Sequence, residues 1–489
     1  MYIGVDFGTS FSQAAVFYNN NPLPLVSAGV YGVPSLFYYD SEVKELTGEY
    51  AQDASQGAYA KNLVRDVKMR LNESFTLDGK SFMPKDIIKA IYKEVIEQAQ
   101  IAGEQSISDF KIDGIVISHP AKFSMQEISI LTNAAKNCIS GQPLNILGTI
   151  KEPVAAALSY YHDNPQPDGT NILVYDLGGG TCDLAIVTAD KREAAQFKVL
   201  DSDMIKIGGR NWDELLIDYA INKINAQARR NLDIRSNEEY LDEVRKRAQA
   251  AKITLSKRED ATMRINIGYE RYDVKITRDQ FEALTVELLE NTIDKLEEIY
   301  RRNPDIMGSV KEIICVGGSS NMKQVKNGIE ARFPNCTVKI YKPEYAVCTG
   351  ASIYASKMIS ILDFVPFSYG IRGKTAAFSN DYAVKNIITK CERYPVSHES
   401  RGFIIPKGSK EVKIAVYESE STEGVYSCNS RENETLIGHI ILKLSREAAS
   451  DERITCVLTI NSLDTIELEA HDERGAYVTA KFSLNKIKA

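Results

Sequence analysis

The feature that most narrows the fold is a strand–glycine–strand pattern that occurs twice. Tyr2-Ile3-Gly4-Val5 is an apolar strand that runs into Asp6-Phe7-Gly8-Thr9-Ser10, and Gln13 to Phe17 reads as its hairpin partner. The device returns at Ile172 to Val187, where Leu173-Val174-Tyr175-Asp176-Leu177 leads into Gly178-Gly179-Gly180-Thr181-Cys182-Asp183. Each copy ends an apolar strand on an aspartate just before glycine. A unit repeated in this way points to two similar halves, each carrying one hairpin, with a cleft between them.

Such turns suit a polyphosphate. Glycine lets the backbone turn sharply and approach a ligand closely. The N–H groups and hydroxyls that follow can then face an anion. Gly317-Gly318-Ser319-Ser320, after the strand Ile313-Ile314-Cys315-Val316, is a third glycine turn, and it reads as opening a helix whose N-terminus favours an anion. A single turn of this kind is more often only structural; three at strand ends in one chain are not easily so. Asp6, Asp176 and Asp183 would repel a nucleotide unless a cation stood between, and magnesium does this while keeping several of its waters. The bland alternative is that these aspartates cap turns.

The rest of the first 355 or so residues alternates strands with helices, which indicates an α/β fold. Ile87, Ile88, Ile91, Val95 and Ile96 share one face of a helix between Pro84 and Ala102. Asp113 to Ser118 reads as a buried strand. Ser124 with Glu127, and Thr277 with Gln280, are capping boxes that open helices. After about Ala355 the period changes to two. Val412, Ile414 and Val416 form one alternating face, Ile454, Cys456, Leu458 and Ile460 a second, and Ile466, Leu468 and Ala470 a third. These runs predict a β-sandwich over the last 125 or so residues. Only 14 residues follow Gly475, and they read as a final strand with no room for a helical bundle.

Composition removes several classes. The net charge is −7 with both signs dispersed, so no basic face is available to grip nucleic acid. No apolar stretch reaches the length of a membrane span, and the N-terminus begins directly on a strand, so a cytoplasmic protein is expected. The 8 cysteines form no CxxC pair and the 5 histidines are scattered, so reduced thiols and no zinc site are expected.

Several motifs together resemble the heat shock protein 70 (DnaK-like) family. They are Ile3 to Ser12, Lys151-Glu152-Pro153-Val154-Ala155-Ala156-Ala157, Asp176 to Asp183, Ile276-Thr277-Arg278, the Gly317 turn, and Asp363-Phe364-Val365-Pro366-Phe367-Ser368-Tyr369-Gly370-Ile371. The resemblance runs from residue 1 to about 485. It implies an actin-like ATPase domain of duplicated ribonuclease H-like lobes over 1–357, a linker over 358–363, and a peptide-binding β-sandwich over 364–489 without the helical lid. The activity it implies is an ATP-dependent chaperone that hydrolyses ATP to ADP slowly with Mg2+ and engages extended or unfolded polypeptide. A J-domain co-chaperone and a nucleotide exchange factor are the partners that come with it.

The same resemblance assigns roles to residues that pattern alone would pass over. Lys68 reaches the γ-phosphate and the attacking water, Glu152 positions that water, Thr181 donates to the γ-phosphate, and Asp176 completes the catalytic set. Phe11, Gly208, Gly209, Asn321 and Glu344 join the glycine turns around the nucleotide. The adenine-binding helix is matched by Gln249-Ala250-Ala251-Lys252-Ile253-Thr254-Leu255-Ser256, of which Gln249, Lys252, Ile253 and Ser256 face the nucleoside. Ile371, Phe403 and Ile414 match positions of the peptide groove, although plain sandwich core explains them equally.

The chain also departs from the family. Ile253 stands where an arginine usually stacks on the base, and Gln249 replaces a glutamate. Pro120-Ala121-Lys122-Phe123 replaces Pro-Ala-Tyr-Phe, Ile128 occupies an arginine position, and Ser360 stands for leucine in the linker. Weaker coupling between nucleotide and peptide is therefore expected. Three rivals stay open: a nucleotide-sensing module with one dedicated partner, an actin-like filament ATPase, and, least favoured, a sugar kinase.

Overall fold

The computed structural model describes residues 1–25, 32–189, 197–306, 308–356, 361–365, 367–374, 382–390, 392–427, 434–449, 452–460 and 465–482. Half of the 358–363 linker, residues 358–360 including Ser360, lies outside these residues, as do Pro366, Cys391 and Cys428. The chain divides into two compact units, one of residues 1–121 and 134–361, the other of 122–133 and 362–489. The segment 122–133, expected within the 1–357 domain, thus packs with the second unit.

In the first unit the hairpin pattern becomes two sheets of the same topology. In one, Tyr2–Phe7 is antiparallel to Phe11–Tyr18, which is antiparallel to Asn21–Pro24; on its other side lie Gly114–His119 and then Ile146–Lys151, both parallel. In the other, Thr170–Leu177 pairs antiparallel with Cys182–Ala189, and that strand with Phe197–Ile205, while Glu312–Val316 and Thr337–Ile340 follow in parallel. Strand order and direction repeat, so the two aspartates occupy equivalent places: Asp6 pairs with Gln13, and Asp176 with Asp183.

The local causes are those the sequence carries. Helix Pro84–Ser106 buries Ile87, Ile88, Ile91, Val95 and Ile96. The strand expected from Asp113 runs over Gly114–His119 and is buried throughout. The Ser124 box closes reciprocally, Ser124 N donating to Glu127 Oε2 at 2.8 Å and Glu127 N to Ser124 Oγ at 3.2 Å. The Thr277 box does the same at the start of helix Arg278–Arg301. Arg278, the next residue, closes a different end: its Nε donates to the Leu255 carbonyl at 2.8 Å, just before helix Glu238–Lys257 finishes. The Gly317 turn differs from expectation. It leads into a single 3-10 turn, Gly318–Asn321, and the α-helix starts only at Lys323.

The second unit is all-β apart from its short inserted segment. One antiparallel sheet runs Val425–Ser427, Tyr382–Ile388, Ser368–Lys374, Glu411–Ser419, Glu434–Lys443, and the other Val396–Ile404, Arg453–Ile460, Ile466–Asp472, Tyr477–Phe482. The period-two residues Ile454, Cys456, Leu458, Ile460, Ile466, Leu468 and Ala470 all point into the core between them. Val412 is only half-buried, whereas Ile414 and Val416 are interior. Among the described cysteines none is bridged; Cys138, Cys182, Cys315, Cys348 and Cys456 are buried and Cys336 is half-buried.

Met125 joins that second core, and its N–H donates at 3.2 Å to Glu418 Oε2, which also accepts from the Tyr369 hydroxyl at 2.9 Å. Burial pushes the Glu418 carboxyl up to about 7, with Glu127 and Glu420 adding repulsion and the two donors opposing it. Folding therefore holds a proton at Glu418 more tightly than the unfolded chain does. Its contribution to stability is complete below the ordinary value of 4.5 and is lost as pH rises through about 7. A decline in the melting temperature of the second unit over that window is expected, and Glu418→Gln should flatten it; a variant with the wild-type slope would rule Glu418 out as its source.

Candidate functional site

The two hairpin turns meet in the first unit. A β-carbon built on Gly179 would lie 2.4 Å from Ser10 Oγ, and one on Gly180 would lie 2.8 Å from Thr9 Oγ1. Only glycine permits that approach. Gly317 sits against the same place with φ 79°, its missing β-carbon 2.4 Å from the Leu177 carbonyl and 2.5 Å from Asp176 Oδ1. The three turns picked out in the sequence thus converge. Ser35 Oγ anchors the Gly8 carbonyl at 2.7 Å, and Ser319 Oγ the Gly178 carbonyl at 2.9 Å, which fixes the turns from behind.

Behind the turns lies a buried charge cluster. Lys68, in a short 3-10 turn entered through Asp66 at φ 56°, extends its ammonium to Glu152 Oε1 at 2.5 Å. Glu152 opens helix Glu152–Asp163, whose first ten residues, including Ala155-Ala156-Ala157, are all buried. Burial is the largest influence on each of the four carboxyls. It raises Asp6 and Asp176, takes Asp183 up to about 6 and Glu152 well above its ordinary range. Lys68 opposes this at all four, while Asp183, Asp6 and Asp176 raise Glu152 further. Burial also works to lower Lys68, but Glu152 and Asp6 outweigh it and the ammonium is raised. Ser118 Oγ donates to Asp6 Oδ1 at 2.8 Å, and Ala121 N to Asp183 Oδ1 at 2.6 Å.

A cavity of about 450 Å³ opens over this cluster. Its floor carries Asp6, Lys68, Glu152, Asp176 and Thr181. Its walls carry the turns, through Gly8, Thr9, Ser10 and Phe11, then Gly178 and Gly179, then Gly317, Gly318 and Ser319. Farther along stand Gly209, Gln249, Lys252, Ile253 and Ser256, with Asn321 and Glu344 opposite, 3.4 Å apart. Gly180, Gly208 and Asp183 support the turns without lining the cavity; Gly208 packs against the Gly179 and Gly180 backbone. Gln13, Arg210, Asp213, Lys257, Met322, Pro343 and Val347 line it too and were missed. Gln13 could have been found from its register opposite Asp6. The others have no local signal, because distant turns bring them in.

Four buried carboxyls around one lysine fit a divalent cation, which would offset charge that Lys68 alone does not. Among the described residues no three acidic, histidine or cysteine side chains converge tightly enough to ligate a metal directly. A cation there would reach Asp6, Asp176 and Asp183 through its waters. Among the same residues no helix is long and apolar enough to cross a membrane.

Ile371 and Ile414 are each 4% exposed and belong to the sandwich core, against which Phe403 is partly packed. The structure thus places two of the three residues matched to a peptide groove in the interior.

A duplicated pair of sheets with glycine turns closing on buried carboxyls defines an α/β protein with an anion-ready cleft, carrying a separate β unit. The family model for Hsp70 protein matches residues 41–478, and the chain belongs to the Hsp70 family. Family membership supports a chaperone role in general terms. The matched span begins after the Asp6–Ser10 turn, which its close approach to Gly179 and Gly180 joins to the second hairpin turn.

The buried pair makes a direct prediction. Lys68→Ala leaves Glu152 without its cation and should destabilise the first unit by about 3 kcal/mol, with Glu152→Gln restoring part of the loss in the double variant. Denaturant titrations of the four proteins would check it, and equal, additive losses would count against the pairing.

Proposed function

We propose that the chain is an ATPase chaperone that holds a magnesium nucleotide in the cleft of its first unit and extended polypeptide on its β unit. The observation that carries the nucleotide reading is the contact of the Gly179–Gly180 turn with Thr9 and Ser10 above the buried Lys68–Glu152 pair. The repeated strand order supports the actin-like, duplicated-lobe architecture. ATP and ADP binding with Mg2+ is general in this family.

The residues suit phosphoryl transfer to water. Backbone N–H groups of the glycine turns, with the Thr9, Ser10 and Thr181 hydroxyls, hold the phosphate chain. Lys68 meets the charge that grows on the transferred phosphoryl oxygens, in a site where burial makes one ammonium count for more than it would in water. Glu152, fixed by Lys68, accepts a hydrogen bond from the attacking water and orients it. Magnesium, once bound, would neutralise the phosphate oxygens, with Asp6, Asp176 and Asp183 holding its waters. Ile253 is 54% exposed beside the cavity, so it covers an adenine face by apolar contact alone.

A second reading has an observation of its own. Because Ile371 and Ile414 are committed to the core, they leave little for a general peptide groove, which favours one dedicated protein partner. Refolding of unrelated clients would separate the two: activity toward several clients supports the chaperone, and none supports the dedicated module.

Single-turnover hydrolysis of ATP tests the catalytic reading. Magnesium-dependent turnover is expected, reduced at least a hundredfold in Lys68→Ala and more mildly in Thr181→Ala. Turnover that survives loss of Lys68 would overturn its role. Ile253→Arg should tighten ATP by roughly 0.5–2 kcal/mol through a restored cation–π contact, and calorimetry showing equal affinity would remove that idea.

A further inference from the structure

Four basic side chains line the cavity, Lys68, Arg210, Lys252 and Lys257, and they are not equally committed. Lys68 is held by Glu152 at 2.5 Å. Lys252 is shared between Asp213 Oδ2 and the Gly209 carbonyl, each at 2.8 Å. Lys257 ends helix Glu238–Lys257, past Ile253 and Ser256, away from the glycine turns. Arg210 stands at those turns: it is the second residue of helix Gly209–Ala228, and its N–H donates to the Gly179 carbonyl at 2.9 Å. Its guanidinium faces Asp66 at 4.0 Å, beyond hydrogen-bond reach, with the two side chains 35% and 33% exposed. An ion pair that long and that open to water contributes little.

Asp66 does not depend on it. Burial raises the Asp66 carboxyl, and Arg65 and Arg245 pull it back alongside Arg210. Arg210 can therefore leave without stranding a charge. The buried cluster below holds four carboxyls to one ammonium, so it draws a metal and repels a phosphate chain. Arg210 supplies positive charge at the rim that the cluster lacks. Asp66 precedes Lys68 by two residues and enters its 3-10 turn, so the Arg210–Asp66 pair marks the end of the cavity where the last phosphate of the chain meets Lys68. A guanidinium is a planar fork that bonds two phosphate oxygens at once, a stronger contact than the loose pair it would replace.

We infer that Arg210 makes the cleft tell a triphosphate from a diphosphate, its guanidinium leaving Asp66 for the terminal phosphate of bound ATP and returning to Asp66 when ADP remains. The inference rests on the nucleotide reading above and adds to it a side chain whose partner changes with hydrolysis.

Calorimetry with magnesium ATP and magnesium ADP, on wild type, Arg210→Gln, Arg210→Lys and Asp66→Asn, tests it. Arg210→Gln should weaken ATP by about tenfold or more, the scale of hydrogen bonding to a charged group, and leave ADP as in wild type, which also shows that the variant is folded. Arg210→Lys should recover part of the loss, because it keeps the charge without the fork. Asp66→Asn removes the competing carboxylate and should tighten ATP while ADP stays the same; it decides the matter if Arg210→Gln does not fold. Equal weakening of ATP and ADP in Arg210→Gln, or ATP affinity unchanged in Arg210→Gln or in Asp66→Asn, would overturn the assignment. A wild type that binds neither nucleotide would instead defeat the nucleotide reading itself.

Discussion

Between the two hairpin turns there is no space for a side chain: a β-carbon on Gly179 would stand 2.4 Å from Ser10 Oγ. That constraint organises the first unit. It brings the ends of two sheets together, and so brings Asp6 to the neighbourhood of Asp176 and Asp183, where each carboxyl raises another. It also sets Gly209 against Gly178, which starts a helix at the cavity wall and delivers Asp213 and Lys252 to it. Two backbone turns that touch are rigid in a way that long side chains are not, and a site built on them is organised before any ligand arrives.

The charge cluster behind the turns is expensive by design. One ammonium among four buried carboxyls leaves the region short of positive charge, and burial amplifies every interaction within it. The fold tolerates this because the groups are tied down individually, Asp6 by Ser118, Asp183 by Ala121 N–H and Glu152 by Lys68. Strain of this electrostatic kind is what a cation and its waters are suited to relieve, which is why the same groups read as a binding site and as a weak point in stability.

Much of this was legible in the sequence because it is local. Hairpins announce themselves by an apolar strand, an aspartate and glycine, and the capping boxes at Ser124 and Thr277 by residues three apart. The period-two faces of the β unit were read with little error. What failed was non-local. Lys68 looks like a surface lysine until the fold buries it, and only the family resemblance singled it out. Asp213 and Arg210 carry no motif that separates them from ordinary helix surface. The helix expected directly after Gly317 starts only at Lys323, because a glycine turn signals reversal of the chain but not how many residues pass before helical bonding is established.

The twelve residues 122–133 pack with the β unit although the chain makes them long before it makes residues 362–489. Met125 is 4% exposed in the folded chain and sits in the core that the later part builds. During synthesis on the ribosome, at about 5–20 residues per second, this short stretch waits on the order of tens of seconds for its shelter. For that interval Met125 is without the strands that bury it, and the Glu418 carboxyl that its N–H meets in the folded unit has not yet been made.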